Sequence, residues 1–397
     1  MKKSLLIIYS CLIVSSAFPQ WVLQTTPTKQ NIYSISLTNF TTGYAVADSG
    51  IILKTVNGGS AWIRMPNAST TSLHSVIFTS PDTGFVFGTY GIVLKTFNGG
   101  SHWYETSIGT FGVGSINSSY FTSPDTGYLV GDGGKIAKTT DGAVNWTILW
   151  GTTLNNLWSV HFPTSNIGYA VGDNNTIIKT VDGGMQWLPS YGGTTYYLTS
   201  VYFTDANTGY IAGDFGTILK TINGGSSWTA LSSGTNAALL SVYFINDSVG
   251  YSVGNSGTII KTVNGGTTWE TLSSGTTNLL RYVRFIDENI GYVVGDDGII
   301  LKTTTGGVVS VRSETPIGNS FTIYPNPANN KITISITREE PGEGLVSILN
   351  VHGEVVLDKR FQNQKRFGID LGLLAKGVYF VLIITSRGIE NKKLIIQ

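Results

Sequence analysis

The chain has 397 residues, a formal net charge of +1 and 12% charged residues. That length accommodates one large and one small domain, each with a core of its own, and the charge balance, 16 acids to 13 bases over residues 21–312 and 8 to 10 over 313–397, excludes the basic footprint of a nucleic-acid binder. A total of 49 glycines, with no long amphipathic period, favours short strands and tight turns over helices.

The first segment reads Met1-Lys2-Lys3, then an apolar run from Leu5 to Val14, then Ser15-Ser16-Ala17. This is the layout of a secretory signal peptide over residues 1–19, with cleavage near 17–20. The single cysteine, Cys11, falls inside it. The mature chain is therefore expected to lack thiols and disulfides, and no later segment is apolar enough to span a membrane. Acylation at Ile8-Tyr9-Ser10-Cys11 is disfavoured because the apolar stretch before it is too short for a signal.

From residue 20 to 309 the chain repeats. A glycine–aromatic pair recurs at Gly43-Tyr44, Gly84-Phe85, Gly127-Tyr128, Gly168-Tyr169, Gly209-Tyr210, Gly250-Tyr251 and Gly291-Tyr292, at steps of 41, 43, 41, 41, 41 and 41 residues. Each unit holds four short apolar runs separated by turn residues, as in residues 198–203, 209–213, 217–221 and 228–231. Four strands in about 41 residues is the arithmetic of a propeller blade. The spacing predicts an all-β, seven-bladed β-propeller.

The third turn of each unit resembles the Asp-box of sialidase-like propellers. Its full copies run from Asn57 to Trp62, Asn98 to Trp103, Asp141 to Trp146, Asp182 to Trp187, Asn223 to Trp228 and Asn264 to Trp269. The Asx side chain accepts backbone N–H groups, glycine supplies left-handed geometry and the indole wedges between sheets, so the motif is structural. The seventh copy has Ser310 where the tryptophan belongs. Trp21 precedes Gly43 by 22 residues, the offset between Trp62 and Gly84, so the N-terminal strand is expected to complete blade seven and close the ring. A lysine followed by threonine repeats from Lys54 to Lys302, and an Asp, Asn or Thr stands six positions earlier, from Asp48 to Asp296. Residues repeated at one blade position are packing solutions first: lysine stems over aromatic surface, and aspartates capping the second turn.

Catalytic patterns are thin. The propeller's arginines, Arg64, Arg281, Arg284 and Arg312, do not form the cluster a sialidase needs. No carboxylate pair stands out from the repeat. His74, His102, His161 and His352 have no metal-ligand spacing, and neither metal nor cofactor is expected. The residues that depart from the repeat are more informative: Tyr90, Phe111, Trp150, Trp158, Tyr191, Tyr196, Tyr197 and Phe215 are read as inter-blade loop aromatics on the face opposite the Asp-boxes. They are expected to form a surface for stacking on sugars or anchoring a protein.

Residues 310–320 read as a linker, and 321–397 as a small Ig-like β-sandwich with period-two alternation. Tyr324-Pro325-Asn326-Pro327, Gly353, Gly377-Val-Tyr379-Phe380 and the lysine-led end at Lys393 closely resemble the type A sorting domain of the Bacteroidota type IX secretion system. That resemblance implies export, recognition of the tail by the secretion machinery, and a secreted or cell-surface location. The propeller repeat, Ser-Val-x-Phe, Gly-Tyr-x-Val-Gly-Asp, Thr-Ile-x-Lys-Thr and Asp-Gly-Gly-x-x-Trp, resembles the photosystem II stability and assembly factor family over residues 21–307. It implies a non-catalytic scaffold. The expected function is an extracellular protein- or glycan-binding propeller, with a sialidase- or xyloglucanase-like glycan hydrolase as the rival.

Overall fold

A computed structural model describes residues 21–108, 114–149, 152–307, 321–336, 343–350, 355–385 and 388–397. The signal peptide with Cys11, the linker, and Phe111, Trp150 and Gly353 lie outside these residues. The chain divides into two compact units, residues 1–309 and 310–397. Among the described residues the only helical pieces are single 3-10 turns.

The first unit consists of seven four-stranded antiparallel sheets. Six are meanders contiguous in sequence. The seventh takes three strands, Leu280–Phe285, Gly291–Gly295 and Ile300–Thr303, and completes itself with Val22–Leu23, which pairs antiparallel with the last of them (Val22 opposite Lys302, Leu23 opposite Leu301). First strands of successive blades face one another around a central channel. The serine of Ser-Val-x-Phe accepts the N–H of the next blade's first strand, as in Val76 to Ser34, Val160 to Ser118, Val201 to Ser159, Val242 to Ser200 and Val283 to Ser241.

Three repeated residues explain each other through packing. The first-strand phenylalanine lies across the glycine of the Gly-Tyr pair in its own blade. A Cβ at Gly209 would stand 2.5 Å from the Phe203 ring and one at Gly291 2.4 Å from Phe285. The same phenylalanine stacks on the tyrosine of the preceding blade, with centroids 3.8 Å apart for Tyr44–Phe78 and Tyr128–Phe162 and 3.7 Å for Tyr210–Phe244. The blade's tryptophan meets that phenylalanine edge to face, at 5.8 Å for Trp187 and 6.0 Å for Trp269. Trp21 takes this place in blade seven: it is 2% exposed, 5.9 Å from Phe285 at 82°.

A polar latch crosses each seam. At six of the seven, the tyrosine hydroxyl and the lysine ammonium of one blade both donate to the same glycine carbonyl in the Asp-box turn of the next, and from blade two the lysine, Lys95, donates alone to Gly142 O. Tyr44 and Lys54 meet at Gly99, Tyr128 and Lys138 at Gly183, Tyr169 and Lys179 at Gly224, and Tyr210 and Lys220 at Gly265. Tyr251 and Lys261 meet likewise at Gly306, and Tyr292 and Lys302 join blade seven to blade one at Gly58. A carbonyl has two lone pairs, so both donors are accommodated. Each ammonium also lies over the ring of its own blade's aromatic, 5.3 Å from the centroid at Tyr44 and Tyr210.

The second unit is a pair of antiparallel sheets. One orders Phe321–Tyr324, Lys331–Ile336 and Arg366–Asp370; the other orders Val355–Gln362, Glu343–Leu349, Gly377–Thr385 and Gly388–Ile396. Alternate residues such as Ile332, Ile334, Val346, Ile348, Val381 and Leu394 form one core between them, as period-two alternation requires.

Candidate binding face

In an antiparallel meander successive turns alternate ends, so the second turns of the blades share one face with the inter-blade loops, and the first and third turns share the other. Hydrogen bonds tie each pair together. The second turn donates to the loop entering its own blade, as Asp48 N to Asn31 O, Asp132 N to Ser115 O and Asp214 N to Tyr197 O. On the opposite face, the third turn donates to the first, as Gly99 N to Asp82 O and Gly224 N to Asn207 O.

The Asp-box residues lie on that opposite face. Asn57, Asn98, Asp182, Asn223 and Asn264 each accept the backbone N–H four residues on, and Asp141 accepts from Val144, Asn145 and the Asn145 amide. These bonds hold the exposed Asp141 carboxyl down at about 2. The threonine after each repeat lysine anchors the turn, since Thr221 Oγ1 donates to Asn223 and accepts from Gly225 N. Trp62, Trp103 and Trp187 are buried, while Trp146, Trp228 and Trp269 are partly buried.

On the loop face, the second turn places its middle residue in the left-handed region in every blade: Ser49, Tyr90, Gly133, Asn174, Phe215, Ser256 and Asp297, with φ from +51° to +67°. Small and Asx residues suit that conformation, whereas an aromatic ring there is strained. Tyr90 and Phe215 nevertheless hold it with their rings 62% and 67% exposed. They sit within blades, not in loops between them, which corrects the sequence-based placement. Both side chains are turned to solvent and away from the blade cores.

Trp158 also needs correction. It is in the first strand of blade four, Leu157–His161, at the channel wall, and its Nε1 donates to Asp173 at 2.6 Å. The same pairing, fifteen residues apart, joins Tyr33 to Asp48, Asn117 to Asp132 and Arg281 to Asp296. The second-turn aspartates therefore brace the inner strand instead of capping their own turn. Asp214 lacks this partner, because Thr199 turns to the carbonyls of Ala212 and Leu239. Burial, and then the neighbouring Asp173 charge, push its carboxyl up.

Tyr191, Tyr196 and Tyr197 occupy the loop between blades four and five and are all exposed, and the Tyr196 ring lies 4.8 Å from Phe215. Asp214 is bonded through its backbone to Tyr197 and feels the charge of Asp173, which Trp158 binds, so aromatic and acidic residues gather on the loop face of blades four and five, with Tyr191 in the same loop. Tyr90, in blade two, is a separate exposed ring.

Residues 14–149, 151–236 and 227–316 match the family described as photosynthesis system II assembly factor YCF48. The chain belongs to the YCF48 family. No curated protein matches this YCF48-family chain. Among solved structures it is similar to YCF48 bound to D1 peptide, at 21% identity and a TM-score of 0.64 over 72% of this chain and 98% of that one. It is also similar to YCF48 from Cyanidioschyzon merolae, at 21% and 0.60 over 71% and 98%, and to U3-55K, at 10% and 0.61 over 71% and 98%. At these identities the likeness establishes the propeller fold.

Residues 322–397 match the secretion system C-terminal sorting domain, so this YCF48-family propeller carries a type IX address. In that tail Asn326 clasps the last strand: its amide donates to Lys393 O at 2.7 Å and its oxygen accepts from Ile395 N at 2.9 Å. Pro325 and Pro327 flank it, each after a cis peptide bond. Tyr379 is buried and donates to Ala375 O, Gly377 pairs with Ile396 at the end of the final strand, and Tyr324 and Lys393 are exposed.

Proposed function

We propose that this YCF48-family chain is a secreted or cell-surface, non-catalytic propeller that binds a protein or glycan partner through the loop face of blades four and five. The secretion machinery handles its tail. The observation that carries the reading is Phe215, an aromatic side chain held in left-handed backbone and turned to solvent beside Tyr196. Exposed tyrosine and tryptophan rings offer large contact area at low entropic cost. A relative solved with a bound D1 peptide gives a precedent for peptide capture. Glycan arrays and pull-downs with the purified full chain test it: the triple variant Tyr191→Ala, Tyr196→Ala, Phe215→Ala should lose at least about tenfold in affinity. Undiminished capture by that variant would remove this face from the proposal.

One observation favours the rival glycan hydrolase. Burial and the neighbouring Asp173 charge push the Asp214 carboxyl upward, and Asp173 is bonded to Trp158, the environment a general acid needs. Turnover of a polysaccharide panel, abolished by Asp214→Asn, would establish hydrolysis. Binding without turnover would exclude it for that panel.

A further inference from the structure

The fifth position of the first strand, the x of Ser-Val-x-Phe, lines the central channel. In blades one to seven it is Ser36, Ile77, Tyr120, His161, Tyr202, Tyr243 and Arg284. Five of these form a continuous belt around the wall. Ring centroids are 4.8 Å apart for Tyr120–His161, 4.8 Å for His161–Tyr202 and 5.0 Å for Tyr202–Tyr243, and the Arg284 guanidinium carbon lies 5.0 Å from the Tyr243 centroid. Arg284 is solvent-accessible inside the channel, where protein surrounds it.

Arg284 makes no ion pair among the described residues, whereas Arg281 pairs with Asp296. The contrast with Arg281, three residues earlier, is instructive. There the fold supplies Asp296 as a counter-charge, and the pair braces the blade. At Arg284 the neighbours are phenols: its guanidinium carbon lies 5.0 Å from the Tyr243 ring centroid, and that ring lies 5.0 Å from Tyr202. The face of Tyr243 offers cation–π attraction, but a ring supplies no formal negative charge, so the guanidinium's hydrogen-bonding fork is left for another group.

Blade seven departs from the repeat twice at this site. Tyr282 stands where blades one to six have Ser34, Ser75, Ser118, Ser159, Ser200 and Ser241, and Arg284 replaces a neutral residue. Blade closure is already achieved by Trp21, Tyr292 and Lys302, so neither substitution serves it. The belt also offers donors. Tyr120 and Tyr202 hydroxyls make no hydrogen bond among the described residues, whereas Tyr243 donates to Phe285 O, and His161 Nδ1 is buried without a partner. Burial, assisted by Arg284, holds that imidazole neutral, near 3.

We propose that the central channel binds an oxyanion, a sulfate, phosphate or carboxylate group, on the Arg284 guanidinium, with the Tyr120 and Tyr202 hydroxyls as further donors. A positive fork with neutral hydroxyl donors and no competing carboxylate is the chemistry that recognises such groups. The site uses none of the patch residues Trp158, Tyr191, Tyr196, Tyr197 and Phe215.

The test is calorimetric titration of the purified full chain with sodium sulfate, sodium phosphate and sodium acetate at constant ionic strength. The wild type should show one saturable site for at least one of these anions, and the three titrations distinguish the tetrahedral from the carboxylate form. Arg284→Met, which keeps the length of the stem, should weaken binding at least tenfold. Arg64→Met, which removes a positive charge on another strand, should leave it unchanged. Tyr202→Phe, which preserves the ring and the packing, should weaken binding about threefold and guards against a failure of the arginine variant to fold. No saturable binding to any of the three anions, or equal binding by Arg284→Met or by Tyr202→Phe, would overturn the proposal.

Discussion

At the scale of single residues, the inter-blade latch joins tyrosine and lysine on one carbonyl at six of the seven seams. Removing one donor, as in Tyr210→Phe, leaves Lys220 on Gly265 O and should cost about 1 kcal/mol, read from the midpoint of denaturant unfolding. Blade two already carries this change, since Phe85 stands in the tyrosine position and Lys95 alone reaches Gly142 O. Burial pushes the latch phenols of Tyr44, Tyr128, Tyr169, Tyr210 and Tyr292 up to about 12 from the ordinary 10.0. A phenol raised in the folded state stabilises it fully below pH 10, and that stability falls as pH rises from 10 to about 12. Lys95, Lys261 and Lys302 are lowered by burial and act in the opposite sense, but only below pH 10.5. Chemical unfolding followed across pH 10.5–12 should therefore show falling stability; a flat profile would contradict the buried-phenol account. Phe215→Gly, which matches Gly133 in blade three, should raise stability by roughly 0.5–1 kcal/mol by relieving left-handed strain, net of glycine's added entropy, while weakening ligand capture. A lower melting temperature would instead mean that the ring packs.

At the scale of the blade, Gly209 and Trp21 are the sensitive positions. Gly209→Ala puts a methyl 2.5 Å from the Phe203 ring, and overpacking of this kind should cost about 1–3 kcal/mol, visible as a drop in melting temperature. Trp21→Ala removes the indole that fills blade seven against Phe285 and Tyr251. The expected loss is about 3–5 kcal/mol, and an unchanged melting curve would show that the ring closes without it. The period, four strands per unit and the supply of Trp21 to the last blade were legible because they recur along the chain. The shared glycine acceptor was not: Tyr210 and Gly265 are 55 residues apart, and nothing local marks a carbonyl as the meeting point of two donors. The channel belt was hidden for a related reason. Its residues vary from blade to blade, so the x of Ser-Val-x-Phe reads as a free position until the ring brings the seven copies together.

At the scale of the whole molecule, the two units have separate sequence signatures and separate cores. Asn326 is the residue of the tail whose side chain fastens the Tyr-Pro-Asn-Pro segment to the final strand. Asn326→Ala should lower the amount of protein recovered in the medium or on the cell surface, measured by immunoblot, without altering the melting of the propeller. Undiminished export would assign the clasp to stability of the tail alone.

Repetition and alternation in the sequence determined the propeller, its closure by the N-terminal strand, and the sorting tail, because strand period, turn chemistry and the Gly-Tyr and Trp positions are local patterns copied from unit to unit. Only the tertiary structure decided what the unrepeated residues do. Trp158 moved from a loop to the channel wall, Tyr90 and Phe215 moved into left-handed turns within blades, and Arg284 was drawn into a tyrosine belt made by four other blades. Those placements depend on which residues become neighbours around a closed ring, where contacts join positions 40 or more residues apart, and a linear pattern carries no record of that neighbourhood.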